Sequence, residues 1–159
     1  MLETEDQAWR RTMEVNFFGP LRLSQALIPR MLAAGSGVVI NVISAAAFSP
    51  MATMGPYGVS KAALWALTQY LARECAPTVR VNALCPGSMR EEQDRRPLTG
   101  AQVDFTPMAR EASSEEAVGA ALYLASNASS FSTGDVVYCN GGLSGLSSYF
   151  GIDPTPGRP

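Results

Sequence analysis

The sequence predicts an α/β fold built around a parallel sheet. Segments with apolar residues at helical spacing alternate with short β-branched runs, in the order helix–strand–helix–strand–helix–strand. That order is the one produced by parallel strands joined through crossover helices, for which right-handed connections are expected. The β-branched runs are apolar almost throughout rather than at every second position, which suits strands covered on both faces. With 159 residues and 47% hydrophobic content, the chain is one domain's worth and can bury an ordinary core.

The elements follow in order. In "TEDQAWRRTMEVNFFGPLRLSQALIPRMLAAG", Trp9, Met13, Phe17, Leu21 and Ile28 recur at helical spacing, and Thr4 with Gln7 fits a capping box. Gly19-Pro20 predicts a kink or break, and Gly35 a stop. "GVVINVIS" (37–44) reads as a strand buried on both faces. Residues 57–76 form a helix apolar around most of its circumference, closed by Pro77, with Trp65 and Tyr70 in the core or at a subunit interface. "TVRVNALC" (78–85) is the second strand, ended by Pro86-Gly87. Residues 88–110 read as a polar loop of mixed charge, and 113–128 as a helix capped by Ser113 or Ser114. The third strand is expected at 134–140, and the tail 147–159 as disordered.

Composition narrows the function. Twelve basic against fourteen acidic residues leave a net charge of −2, which argues against a nucleic-acid surface. Histidine is absent, removing the commonest general base and metal ligand together. Cys75, Cys85 and Cys139 lie in apolar segments, too few and too far apart for a zinc site. They read as small core residues of a reducing compartment. The N-terminus is acidic with no apolar run, and no stretch is long enough to span a membrane. The expectation is a soluble cytoplasmic protein.

One short segment carries chemistry. "YGVSK" places Tyr57 and Lys61 four residues apart, on one face of a helix and within reach of each other. A phenol titrates near ~10, and an adjacent cation favours the phenolate. Tyr57 is therefore a candidate acid/base group tuned by Lys61. Taken alone the pair is more simply a core tyrosine and a solvated lysine, because short motifs recur by chance.

Four further segments change that balance. Ser44 in "INVIS" stands thirteen residues before Tyr57, and "VNFFG" supplies Asn16. "VNALCPG" (81–87) and "STGDVVYCNGG" follow in order. With these five motifs the chain resembles the C-terminal portion of a classical short-chain dehydrogenase/reductase over essentially residues 3–146. The fold implied is the C-terminal half of a Rossmann-like doubly wound parallel sheet, a partial domain over 1–146.

The resemblance implies hydride transfer between a nicotinamide cofactor, NAD or NADP, and a carbonyl or alcohol substrate. It implies that Tyr57 moves the proton while Lys61 tunes it and holds the nicotinamide ribose. Ser44 would bind the substrate oxygen, and Asn16 would order a water that relays protons to Lys61. Pro86 and Gly87 would shape the wall against the nicotinamide, and the backbone that follows, at Met89, would meet its carboxamide; Tyr57 would also contact the cofactor. A lysine-tuned phenol also accounts for chemistry without histidine. Residues 88–110 fall where the family keeps its variable substrate lid. The helices at 4–33 and 57–76 would pair with their copies in a homodimer or homotetramer. No nucleic acid, membrane or metal is expected.

The sequence departs from the family in places. The Gly-rich phosphate-binding turn and the residue that selects NAD or NADP have no counterpart, so about 90 residues of the usual dinucleotide half are expected to be missing. The strand at 37–44 would then present a bare apolar edge, and dinucleotide affinity would be weak. Glu91 stands where the family often has threonine, a site where a carboxylate would repel pyrophosphate unless the loop shifts. Asn140 replaces the aspartate of the closing motif. An alternative function from another class is a truncated, catalytically inactive paralogue acting as an oligomerisation and association module.

Overall fold

The structure, a computed structural model, describes residues 1–50, 52–91 and 106–143. The expected disordered tail and most of the predicted 88–110 loop lie outside the described residues. Helix α1 (Asp6–Met13) runs into a π-helical stretch (Glu14–Phe18) and on into α2 (Gly19–Ala33). The chain therefore does not break at Gly19-Pro20. Pro20 sits in the first turn of α2, where a missing N–H costs least. The wider turn just before it absorbs the mismatch. The predicted Thr4–Gln7 capping box does not form: Glu5 is the N-cap and makes no side-chain cap bond. Asp6, in the first turn, pairs instead with Arg10. Gly35 ends the arm in the left-handed region (φ +78°), where glycine carries no Cβ penalty.

Strand β1 (Gly37–Val42) leads into a short 3₁₀ turn (Ala45–Ala47) and then α3 (Gly55–Cys75). Strand β2 (Val79–Pro86) is followed by α4 (Ser114–Ala125), a second 3₁₀ turn (Asn127–Ser129) and β3 (Val136–Cys139). The cap expected at Ser113 or Ser114 forms at Ser113, as a capping box with Glu116. The sheet is parallel throughout, in the order β1-β2-β3. Gly37 stands opposite Val79, and Ala83 opposite Val136.

Alternation along β2 decides which helix covers which face. Val79, Val81, Ala83 and Cys85 point toward α2 and α3, packing with Ile28, Leu64, Ala72 and Cys75. Arg80 and Asn82 point the other way, where the Arg80 guanidinium reaches the carbonyls of Leu124 and Ser126 at the end of α4. The two connections therefore cross opposite faces of a sheet that grows in one direction, so they have opposite hands. A uniformly right-handed pattern does not hold here.

Strand β1 also differs from expectation. It is half-buried rather than covered on both faces, and Val42 is 49% exposed; among the described residues β1 is an outer strand and pairs with β2 alone. Trp65, partly buried, packs against the core beside Phe48, whereas Tyr70 is exposed. No described helix is long and apolar enough to cross a membrane.

Candidate active site

Tyr57 lies in the first turn of α3, and Lys61 one turn further along the same face. The Lys61 ammonium stands 5.8 Å from the centre of the Tyr57 ring and donates to the Val42 carbonyl at 2.8 Å. Burial pushes the Lys61 amine below its ordinary value of 10.5, because a cation leaving water is disfavoured. Lys61 is also the only lysine in the chain.

Ser44 follows β1 directly. Ile43 still donates its N–H to Leu84 (2.9 Å), so the end of the strand is fixed, and the chain then turns into the 3₁₀ segment. The Ser44 hydroxyl accepts from the Ala46 N–H at 3.2 Å, which leaves its own proton to donate. The same short turn packs against α3 at Gly58, where a Cβ would stand 2.9 Å from the Ala46 carbonyl oxygen. Only glycine allows that approach.

Asn16 sits in the π-helical stretch. Its side-chain amide donates to the Ser60 hydroxyl at 3.0 Å, and Ser60 donates to the Tyr57 carbonyl at 2.7 Å. The amide is thus directed at Ser60 rather than at Lys61. Gly58 and Ser60 are the two residues that reading the sequence missed; the available signal was two small residues inside "YGVSK".

Pro86 ends β2, and Gly87 follows with its N–H on the Cys139 carbonyl (3.0 Å). A Cβ on Gly87 would meet the Asn140 Cα at 2.8 Å. Met89 pairs with Ala112 in an isolated bridge. Glu111, buried beneath it, accepts from Ser88 (2.8 Å) and pairs with Arg90 (2.7 Å). Those bonds hold its carboxyl below the usual carboxylate range. Glu91 faces Ser114, whose hydroxyl lies 3.4 Å from it. Asn140 accepts from the Gly142 N–H at 3.2 Å.

Two cavities flank these groups. Asn16 and Lys61 line one of about 410 Å³, between α2 and the open side of β1. Gly87, Phe48, Met108, Tyr138 and Asn140 line another of about 870 Å³. The structure thus brings Asn16, Tyr57 and Lys61 together at the start of α3, with Ser44 leading into the turn that packs on Gly58. Pro86, Gly87 and Met89 stand at the end of the neighbouring strand. Among the described residues, no cluster of metal ligands occurs.

Comparison with known proteins follows the same lines. A family model described as enoyl-(acyl carrier protein) reductase matches residues 1–144. Human dehydrogenase/reductase SDR family member 4 is 33% identical over 148 residues, covering 89% of this chain and 53% of that protein. The chain spans about half the length of the curated relatives it matches. Gluconate 5-dehydrogenase from Burkholderia cenocepacia, solved with NADP and tartrate, superposes with a TM-score of 0.81 at 32% identity, over 89% of this chain and 58% of that one. A 3-oxoacyl-[acyl-carrier protein] reductase from Brucella melitensis with bound NAD gives 0.82 at 35% identity, over 91% and 55%.

Proposed function

Because the chain belongs to the short-chain dehydrogenase/reductase family, we propose that it acts as an NAD(P)-dependent oxidoreductase on a small carbonyl or alcohol substrate, with Tyr57 as its acid/base group. The observation that carries this reading is the placement of the Lys61 ammonium 5.8 Å from the Tyr57 ring, in a partly desolvated position. In the reductive direction the Tyr57 phenol gives its proton to the carbonyl oxygen, and the Lys61 charge stabilises the phenolate left behind. The Ser44 hydroxyl donates a hydrogen bond to that oxygen and so fixes the carbonyl before transfer. Oxidation of an alcohol runs through the same groups in reverse.

The residues present fit the nicotinamide end of such a cofactor. Lys61 uses one N–H on Val42, leaving two to meet ribose hydroxyls. Gly87, packed backbone to backbone on Asn140, gives a wall with no side chain, flanked by Pro86 and Met89. When bound, the nicotinamide supplies or accepts the hydride. Apolar side chains exposed along α2 and α3, including Leu23 (63%) and Tyr70 (69%), support association with further copies through those helices.

The same exposed residues favour a second reading, an association module without turnover. Titrating the purified chain with NADH and NADPH separates the two. A change in nicotinamide fluorescence saturating at micromolar cofactor supports the oxidoreductase. A folded protein that leaves the fluorescence unchanged supports the module.

A further inference from the structure

Ser60 is fully buried on α3, one residue before Lys61 and three after Tyr57. Serine inside a helix commonly turns its hydroxyl onto a carbonyl of the preceding turn, and Ser60 does so at Tyr57 (2.7 Å). A local bond of that kind would satisfy the hydroxyl without help. Ser60 also accepts from the amide of Asn16 at 3.0 Å, across 44 residues of chain. Its one proton is committed to Tyr57, so the bonds run in one direction, from Asn16 through Ser60 to Tyr57. Bonds arranged head to tail in this way reinforce one another.

Each end of this chain of bonds lies where a helix is irregular or lacks a side-chain cap. The first turn of α3 has no side-chain cap: Met54 is its N-cap and contributes only a carbonyl, to the Gly58 N–H (2.7 Å). Orphan N–H groups at such an end leave the turn free to fray. Asn16 lies in the π-helical stretch, the irregular part of the first helical arm. We propose that Ser60 is a positioning residue, whose hydroxyl locks the arm carrying Asn16 to the backbone of Tyr57 and so sets where the phenol stands relative to Lys61. The proposal rests on the oxidoreductase reading for its consequence in turnover, but not for its geometry.

The single lysine provides a direct readout. In the full chain labelled with carbon-13 at lysine Cε, one side-chain resonance is expected. Its position reports the Tyr57 ring, whose centre is 5.8 Å from Nζ. Ser60→Ala and Asn16→Ala should each move that resonance in the same direction. The double variant should move it no further than the larger single one. A Ser60→Ala resonance coincident with the wild type, or single shifts that sum in the double variant, overturns the proposal. If Ser60→Ala fails to fold, Asn16→Ala decides in the same way, since it changes a partly exposed group. Where the wild type turns over, Ser60→Ala should lower kcat by about tenfold while the cofactor KM stays within about twofold; a change in KM alone counts against it. A wild-type chain without turnover defeats the oxidoreductase reading and leaves the resonance to test the joint.

Discussion

The ammonium of Lys61 bonds to the backbone carbonyl of Val42 at 2.8 Å, tying the helix that carries Tyr57 to the open edge of the sheet. Ile43 gives its N–H to Leu84, and groups in a ladder alternate between edges. The Val42 carbonyl therefore faces away from β2, and Lys61 satisfies an acceptor that no strand among the described residues reaches. The lysine position thus depends on sheet geometry as well as on the helix.

This placement predicts an alkaline dependence of stability. Burial holds the Lys61 amine below 10.5 in the folded chain. The unfolded chain then binds that proton more tightly, so the contribution of this group to stability rises with pH. The window runs from the depressed folded value up to 10.5. Urea unfolding of wild type and Lys61→Met across alkaline pH should show a rise in the wild type that the variant lacks. Parallel profiles would remove the burial argument.

Tyr57→Phe keeps the ring and removes the transferable proton. Turnover should fall by about 10²–10⁴-fold, while nicotinamide binding followed by fluorescence changes little. Retained turnover would assign the proton to another group.

Much of this was legible in the sequence, and the failures have physical causes. Parallel strands followed from β-branched runs, and the α4 cap from a serine at 113 or 114 ahead of acidic residues, with Ser113 and Glu116 forming the box in the structure. The Tyr57–Lys61 face followed from helical periodicity alone. The π-helical stretch did not, because Pro20 shows where a helix is stressed but not whether it breaks or widens. The opposite hands of the crossovers were hidden as well, since they depend on Arg80 facing α4 rather than α3. The Asn16–Ser60 bond joins residues 44 apart, a distance over which no local pattern acts.

The bridge between 88–90 and 111–112 should be sensitive to acid. Hydrogen bonding from Ser88, and then from Arg90, keeps the Glu111 carboxyl below its ordinary value of 4.5. A depressed carboxyl contributes stability above the unfolded value and loses it as pH falls through the folded one. Exchange of the Arg90 amide, bonded to the Ala112 carbonyl at 3.0 Å, should therefore accelerate below pH 4.5 beyond the intrinsic pH effect. Glu111→Gln should exchange faster at neutral pH and lack the acid step. A protected Arg90 amide in that variant would show that the backbone bridge holds without the carboxylate.

Gly58→Ala sets two effects against each other. Alanine favours a helix over glycine by about 1 kcal/mol. A methyl placed 2.9 Å from the Ala46 oxygen, however, meets backbone that cannot rotate away, and such overpacking costs about 1–3 kcal/mol. The net expectation is a destabilisation of about 1 kcal/mol, read as a lower urea midpoint. A stabilised variant would mean that the 45–47 turn yields freely, and Ser44 would then be loosely placed.

Arg80 makes the last prediction, on the face of the sheet away from the site. Its guanidinium meets the Ser129 hydroxyl (2.8 Å) and the carbonyls of Leu124 (3.3 Å), Ser126 (3.1 Å) and Ser132 (3.4 Å). These include acceptors at the end of α4, where a helix has no partners of its own for its carbonyls and a cation is favoured by the helix dipole. Arg80→Met keeps the apolar stem and should cost about 2–3 kcal/mol through the lost charge-assisted bonds. Arg80→Lys should recover only part, because an ammonium cannot span the same fork of acceptors. The loss should also appear as faster amide exchange over the last turn of α4, ahead of global unfolding. A methionine variant as stable as the wild type would show that water serves those carbonyls equally well, and that α4 is held by packing around Leu124 alone.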